Sequence, residues 1–476
     1  MTVHRSSDDA ASPSRTRLGF AILAVVQGTL IFTIALIMVP LPRIAAEFAL
    51  TPADLLLLQV AYGLPFSGLL LFGGRLADRY RGRRMFALGL ILFGAASLAA
   101  AAAPGFVVLV GARFVQGAGG ALTAPAAMAV LRALFPEPAA YGRAMAAWGG
   151  VSVLGAILGF VASGVLTTWV SWRWMFAIPV LVALAGLAST RGLLPADRTD
   201  EPAGRPGLDP AGALLATAGI VLASYGLIAS GEHPWSSAAV WGPLTAGAAL
   251  LAAFLGVERI VRDPLLPPGF LPSPCRVAGL LGMLLAAAGS ALIEFVLSLY
   301  LQGTRGWTPL ATALAFLPFA VALMATNHVA PALVGRLGPA RVTVSGLLVA
   351  AAGLGLLAGL GPDTGYAAGL LPGMVLLAAG LSLMFSGSAV LSTMNVPQRQ
   401  AGLAGGVMNT AMELGPTVGL AALMSVAAAR PDAVDGYAWA FGAGGAAFLA
   451  AALAAAALLS RAACRALPQA EPAPSY

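Results

Sequence analysis

The stretch GRLADRYRGRR, residues 74–84, packs six charges into the ten positions from Arg75 to Arg84, in a chain that is only 9% charged. Long apolar runs flank it on both sides. A soluble domain of this length would be roughly a quarter charged, whereas 59% of these residues are hydrophobic and the mean hydropathy is +0.88. Too little polar surface remains to cover a globule in water. The solvent of this chain is therefore lipid, and the charged stretch reads as a loop between two membrane spans.

Working outward from that loop, runs of about 20 apolar residues, enough to cross about 30 Å of hydrocarbon, recur along the whole chain. Fourteen are expected: 18–39, 55–73, 85–103, 106–131, 144–167, 174–194, 210–230, 240–257, 277–301, 309–333, 342–360, 367–390, 403–428 and 438–459. The first is longer than a signal-peptide core and lacks a clear cleavage site, so it reads as an uncleaved span. All 26 basic residues are arginine; with the N-terminus inside, 21 fall in inner segments, four (Arg43, Arg173, Arg305 and Arg430) in outer loops, and Arg113 within a span. That asymmetry predicts both termini on the cytoplasmic side of a multi-pass membrane protein. Scattered in this way, the arginines form no continuous face for nucleic acid. The two cysteines, Cys275 and Cys464, give no disulfide framework. Trp172, Trp174, Trp235, Trp241 and Trp439 lie near expected outer boundaries, where tryptophan anchors a membrane interface.

The inner loop at 335–341, GRLGPAR, echoes GRLADR at 74–79. One joins spans 2 and 3, the other spans 10 and 11. An offset of eight spans fits a six-helix bundle at 18–194, an inserted helical hairpin at 210–257 and a second six-helix bundle at 277–459. Linkers at 195–209 and 258–276 and tails at 1–17 and 460–476 complete the expected organisation. Repeats of this kind occur in transporters, with binding between the halves.

From about residue 20 to about residue 428 the chain resembles the major facilitator superfamily, in its fourteen-helix drug:proton antiporter branch. The family's loop pattern, roughly G-x-L-A-D-R-x-G-R-R, is matched by Gly74, Leu76, Ala77, Asp78, Arg79 and Arg83, with Arg81 standing where the family has glycine and Gly82 following. RFVQGAGGAL is similar to the family's R-x-x-Q-G-x-G segment through Arg113, Gln116, Gly117 and Gly119. SWRWMF at 171–176, YLQ at 300–302 and AGLAGGVMNT at 401–410 also look like this branch. Three departures stand out. Thr33 occupies the place of the branch's usual first-span acid. The span-5 signature G-P-x-x-G-G reads GFVASG (159–164), without its proline. A Gly-Pro step appears instead in span 13, ELGPTVG.

The resemblance implies an all-α major facilitator fold and export of hydrophobic or amphipathic small molecules, including antibiotics, from a bacterial inner membrane by alternating access coupled to protons. It also implies a conformational latch at Gly74, Arg75, Asp78, Arg79 and Arg83; the bland alternative is a topology anchor. Partners are then the substrate, protons and lipids, with the chain a monomer. No cofactor, metal-ligand spacing or catalytic residue is expected. Uncoupled diffusion or uptake, encouraged by the departures, is the competing transport reading, and a polytopic membrane enzyme is the competing class.

Ionisable groups at membrane depth are functional candidates by default. Glu413 lies about 15 Å into span 13 and Glu294 about 10 Å from the outer end of span 9. Either can exchange protons; either can instead be a hydrogen-bonded group in a helix interface. A carboxylate in the second half is a substitute for the missing first-span acid. Arg113 must find backbone carbonyls, Gln116 or a distant carboxylate. His328, beside Asn327, is a titratable candidate, and Asn409, one turn before Glu413, is placed to meet it or the substrate.

Overall fold

The computed structural model describes residues 13–190, 192–194, 207–396 and 401–461, and these are all-helical, without a strand. The tail residues 1–12 and 462–476 and the linker residues 195–206 lie outside the described residues.

Helix α1 (Pro13–Leu36) ends ahead of Pro40 and Pro42, which cannot continue its hydrogen-bond ladder. The short α2 (Leu41–Phe48) follows, closed by Ala49 in the left-handed conformation. Thr51 then opens α3 (Pro52–Val60) with a reciprocal capping box to Asp54. After the turn at Ala61–Tyr62 come α4 (Gly63–Tyr80), α5 (Gly82–Ala101), α6 (Phe106–Leu134) and α7 (Pro138–Trp169). A 3-10 turn (Trp172–Phe176) leads into α8 (Ala177–Ser189). The next pair is α9 (Pro210–Ala229) and α10 (Ala238–Val257). The chain continues through α11 (Pro274–Leu299), α12 (Pro309–Ala315), α13 (Leu317–Leu337), α14 (Pro339–Leu357), α15 (Leu371–Thr393), α16 (Ala401–Leu414), α17 (Leu420–Ala428) and α18 (Ala433–Arg461).

Among the described residues, thirteen helices are long and apolar enough to cross a membrane. They coincide with thirteen of the fourteen expected spans; the remaining one, 144–167, lies inside the 32-residue α7. The chain packs as two compact units, Met1–Val221 with Ser298–Ala315, and Leu222–Leu297 with Phe316–Tyr476. The core of the first is aromatic and aliphatic, around Tyr62, Phe66, Phe86 and Phe93. In each unit one helix pair is packed closely through glycine. Gly89 and Gly119 join α5 to α6, and Gly346 and Gly380 join α14 to α15, leaving no space for a Cβ.

Three expectations change. The charged loop is shorter than its sequence suggested: α4 runs through Tyr80 and α5 begins at Gly82, leaving Arg81 alone between them. Trp172 is not an interfacial anchor but is buried, at 4% exposure, because Glu47 supplies an acceptor for its indole N–H. Trp174, Trp235, Trp241 and Trp439 are exposed. Finally, Cys275 is disulfide-bonded, where the sequence carried no disulfide framework. The chain's other cysteine, Cys464, lies outside the described residues.

Candidate functional site

In the first unit the polar candidates converge. Arg113 and Gln116, three residues apart on α6, share one face. The guanidinium donates from Nη1 to Gln116 Oε1 at 2.8 Å and to the backbone carbonyl of Thr33 on α1 at 3.3 Å. Gln116 in turn donates to Ser97 Oγ on α5 at 2.7 Å, and Ser97 donates to the Phe93 carbonyl at 2.6 Å. The Tyr62 ring lies 5.0 Å beneath the guanidinium, an arrangement worth about 2 kcal/mol when water is excluded. Arg113 is 1% exposed. Its Nε finds no partner among the described residues. The Thr33 hydroxyl is turned back onto the Thr29 carbonyl at 2.7 Å. The place of the family's first-span acid thus offers Arg113 a backbone carbonyl and no carboxylate. Tyr62 and Ser97 were not foreseen from the sequence. The one signal for Tyr62 was an aromatic hydroxyl just ahead of a helix-breaking Gly-Leu-Pro.

The carboxylates belong to the second unit. Glu294, on α11, accepts a hydrogen bond from Ser290 one turn earlier, at 2.9 Å. Glu413, on α16, is 6% exposed, and its carboxylate has neither a hydrogen bond nor an ion pair to any described residue. Pro416 has no N–H for the next helical bond, so the chain widens into a π-helical turn at Gly415–Gly419. Gly415 presses against α11 so closely that a Cβ there would meet the amide of Ala288 at 2.6 Å. The Glu413 side chain is therefore seated next to a distorted turn braced on α11. An unpaired carboxylate in an apolar interior is costly when charged. Asn409 and His328 are exposed and make no hydrogen bond to described residues, so Asn409 does not pair with Glu413 here.

The two echoing loops adopt one geometry. Arg81 has φ 75° and ψ 124°; Gly338, the single residue between α13 and α14, has φ 84° and ψ 153°. This is a glycine conformation, which explains why the family pattern places glycine where this chain has Arg81. Asp78 is exposed in the last turn of α4, with Arg75 and Arg132 as the positive charges acting on it. Arg79 and Arg83 flank it in sequence. Gly74 has room for a Cβ, whereas Gly73, not singled out from the sequence, lies against the Ala121 carbonyl of α6. A surface groove of about 350 Å³ between α1 and α8 is lined only by Ala, Ile, Val, Leu and Gly and holds none of the candidates.

The family model described as the Major Facilitator Superfamily matches residues 22–420, with a second match over 279–473. The chain belongs to this superfamily. Its relatives include the puromycin resistance protein pur8 of Streptomyces alboniger, 38% identical over 86% of this chain and 80% of the relative. The cephamycin export protein CmcT of Amycolatopsis lactamdurans is 36% identical over 83% of this chain and 82% of its own. The lincomycin resistance protein of Streptomyces lincolnensis is 34% identical over 89% and 86%. The crystal structure of an auto-inhibited POT family peptide transporter covers 96% of this chain and 99% of its own at a TM-score of 0.68, with 16% sequence identity. That similarity concerns the fold. As a superfamily member with thirteen candidate spans among its described residues, this is a multi-pass membrane protein.

Proposed function

We propose that this major facilitator protein exports hydrophobic or amphipathic small molecules, antibiotics among them, from a bacterial cytoplasm by alternating access driven by inward proton flow. Support for export comes from relatives whose names record puromycin and lincomycin resistance and cephamycin export. The arginine asymmetry supports cytoplasmic termini. The single observation that carries the coupling is Glu413, a buried carboxylate without a partner among the described residues, in a chain whose first span lacks an acid. Glu413 is the main proton carrier in this reading and Glu294 the second. Arg113 and Gln116 hold a fixed positive charge in the first unit. Asn409 and His328 are substrate contacts. The 74–83 segment is the cytoplasmic latch, and the two bundles at 18–194 and 277–459 move as a monomer. Thr33 favours one competing reading, an uncoupled facilitator.

The experiment is transport of a lipophilic cation and of a neutral drug by inverted vesicles, with and without an imposed pH gradient. The parent should accumulate substrate only with the gradient. Glu413→Gln should abolish that dependence, and Glu294→Gln should weaken it. Gradient-independent equilibration by the parent would establish the facilitator instead. Gradient-driven transport surviving in both variants would remove the carboxylates from the coupling.

A further inference from the structure

Pro40 and Pro42 leave a specific deficit at the end of α1. In a continuing helix the carbonyl of Leu36 would accept from the N–H of residue 40, and that of Met38 from the N–H of residue 42. Both residues are proline and have no N–H to give. Buried carbonyls need partners, and three side chains from elsewhere in the same unit supply them. Ser163 of α7 donates to Leu36 O at 2.6 Å. Ser298, at the end of α11, donates to Met38 O at 2.8 Å. Gln302, in the π-helical turn Tyr300–Thr304 that follows, donates from Nε2 to Val39 O at 2.8 Å and to Ser298 Oγ at 3.2 Å. Arg43 Nη1 adds a bond to the carbonyl of Thr167. Ile37, Met38, Val39 and Ser298 are fully buried.

The donors differ in kind. Ser163 belongs to α7, a neighbour of α1 in the first bundle, but Ser298 and Gln302 come from the sequence of the second bundle. They also continue a polar stripe at four-residue spacing, Ser290, Glu294, Ser298 and Gln302, on one face of α11 and the turn beyond it. Side-chain bonds to bare carbonyls suit a reversible contact, because water can replace each donor when the contact parts. A core built from apolar packing alone has no such exchange.

We propose that Ser298 and Gln302 are gate residues of the transport cycle: by holding the carbonyls of Met38, which Pro42 leaves free, and of its neighbour Val39, they close the outer end of α1 and must release them for that end to open. The proposal rests on the alternating-access reading for its place in the cycle. Its test needs neither substrate nor proton gradient, so the two fail separately.

The test uses Val39→Cys in a background carrying Cys275→Ser and Cys464→Ser, labelled with a membrane-impermeant maleimide in intact cells and in inverted vesicles. With Ser298 and Gln302 intact, labelling should be slow. The Ser298→Ala, Gln302→Ala pair should label about tenfold faster from the outside, each lost bond shifting the equilibrium by a few-fold. Ser298→Thr, which keeps the hydroxyl, should label slowly. Pro42→Ala, which returns an N–H to compete for Met38 O, should accelerate labelling without touching either gate residue, and covers the case in which the double variant fails to fold. Unchanged labelling in the folded double variant or in Pro42→Ala would overturn the proposal. So would Ser298→Thr behaving like Ser298→Ala, or acceleration confined to inverted vesicles.

Discussion

Two buried charges, Arg113 in the first unit and Glu413 in the second, are housed in opposite ways. The first places a cation, Arg113, among donors and acceptors from three other elements: the Thr33 carbonyl, the Ser97–Gln116 relay and the Tyr62 ring. The second places a carboxylate, Glu413, where no described residue meets it. A charge that is well partnered contributes to the scaffold that holds it, and removing it orphans its neighbours. A charge without partners destabilises its surroundings and persists only where function requires it. On the coupling proposal, the contrast is that between a structural charge and a working one.

Opposite signs of stability change would sharpen that contrast, and this is the largest effect expected. Arg113→Ala removes a large buried side chain and strands Gln116, so it should destabilise the detergent-solubilised protein by about 2–4 kcal/mol. Glu413→Leu, of similar volume and without charge, should stabilise it by about 1 kcal/mol or more while abolishing gradient-driven transport. Thermal unfolding of both variants decides the matter. Shifts of the same sign would break the comparison.

The echoing loops allow a second, smaller test of the same two units. Arg81 and Gly338 share a backbone conformation suited to glycine, yet only the second is glycine. Strain at a non-glycine residue in this region is of order 1–3 kcal/mol, partly offset by the entropy that glycine adds to the unfolded chain. Arg81→Gly should then raise stability by about 1 kcal/mol and Gly338→Arg should lower it by about 2 kcal/mol. Equal and small effects from both would mean that the segments relax and the shared geometry is not enforced.

Side-chain patterns were legible in the sequence and backbone consequences were not. Apolar run length found thirteen spans because hydrocarbon thickness sets it. The i, i+3 spacing of Arg113 and Gln116 put their pairing among the three options open to Arg113, because one helix carries both. Tyr62 and Ser97 come from other helices, and no local spacing joins them to Arg113. The charged motif at 74–84 was visible, but its conformation rests on φ at Arg81, which only the displaced glycine hinted at. The gate at Ser298 and Gln302 was hidden because its acceptors are carbonyls, which every residue has. The signal that was available was Pro42, which removes the N–H that would otherwise bond Met38 O. Trp172 was misread for a related reason, since an indole is an anchor or a buried donor according to what lies opposite it, and Glu47 is 125 positions away.

The smallest effect separates the arginine–tryptophan pairs of the two units. In the first, Arg173 lies 4.3 Å over Trp172 and is tied to Glu47, at 2.6 Å from Oε1, while Trp172 Nε1 donates to Oε2 at 2.7 Å. In the second, Arg430 lies 3.9 Å over Trp439 and has no ion pair to a described residue. Partial burial alone would push the Glu47 carboxyl up, but the hydrogen bonds from Trp172 and Arg173 and the charge of Arg173 outweigh it and hold the group below its usual range. A depressed carboxyl contributes stability that is complete above its unfolded value and is lost as pH falls through its folded value. The Glu47 contribution should therefore be constant at neutral pH and disappear as pH falls below about 4. Because the pair is partly exposed, Glu47→Gln should cost less than about 1 kcal/mol at pH 7. The difference in Tm between parent and Glu47→Gln should shrink toward zero in acid, whereas any difference produced by Arg430→Gln should stay flat over the same range, since its partner is a ring with nothing to protonate. A Glu47→Gln difference that is equally flat would mean that the carboxylate is not what fastens Arg173 and Trp172 together.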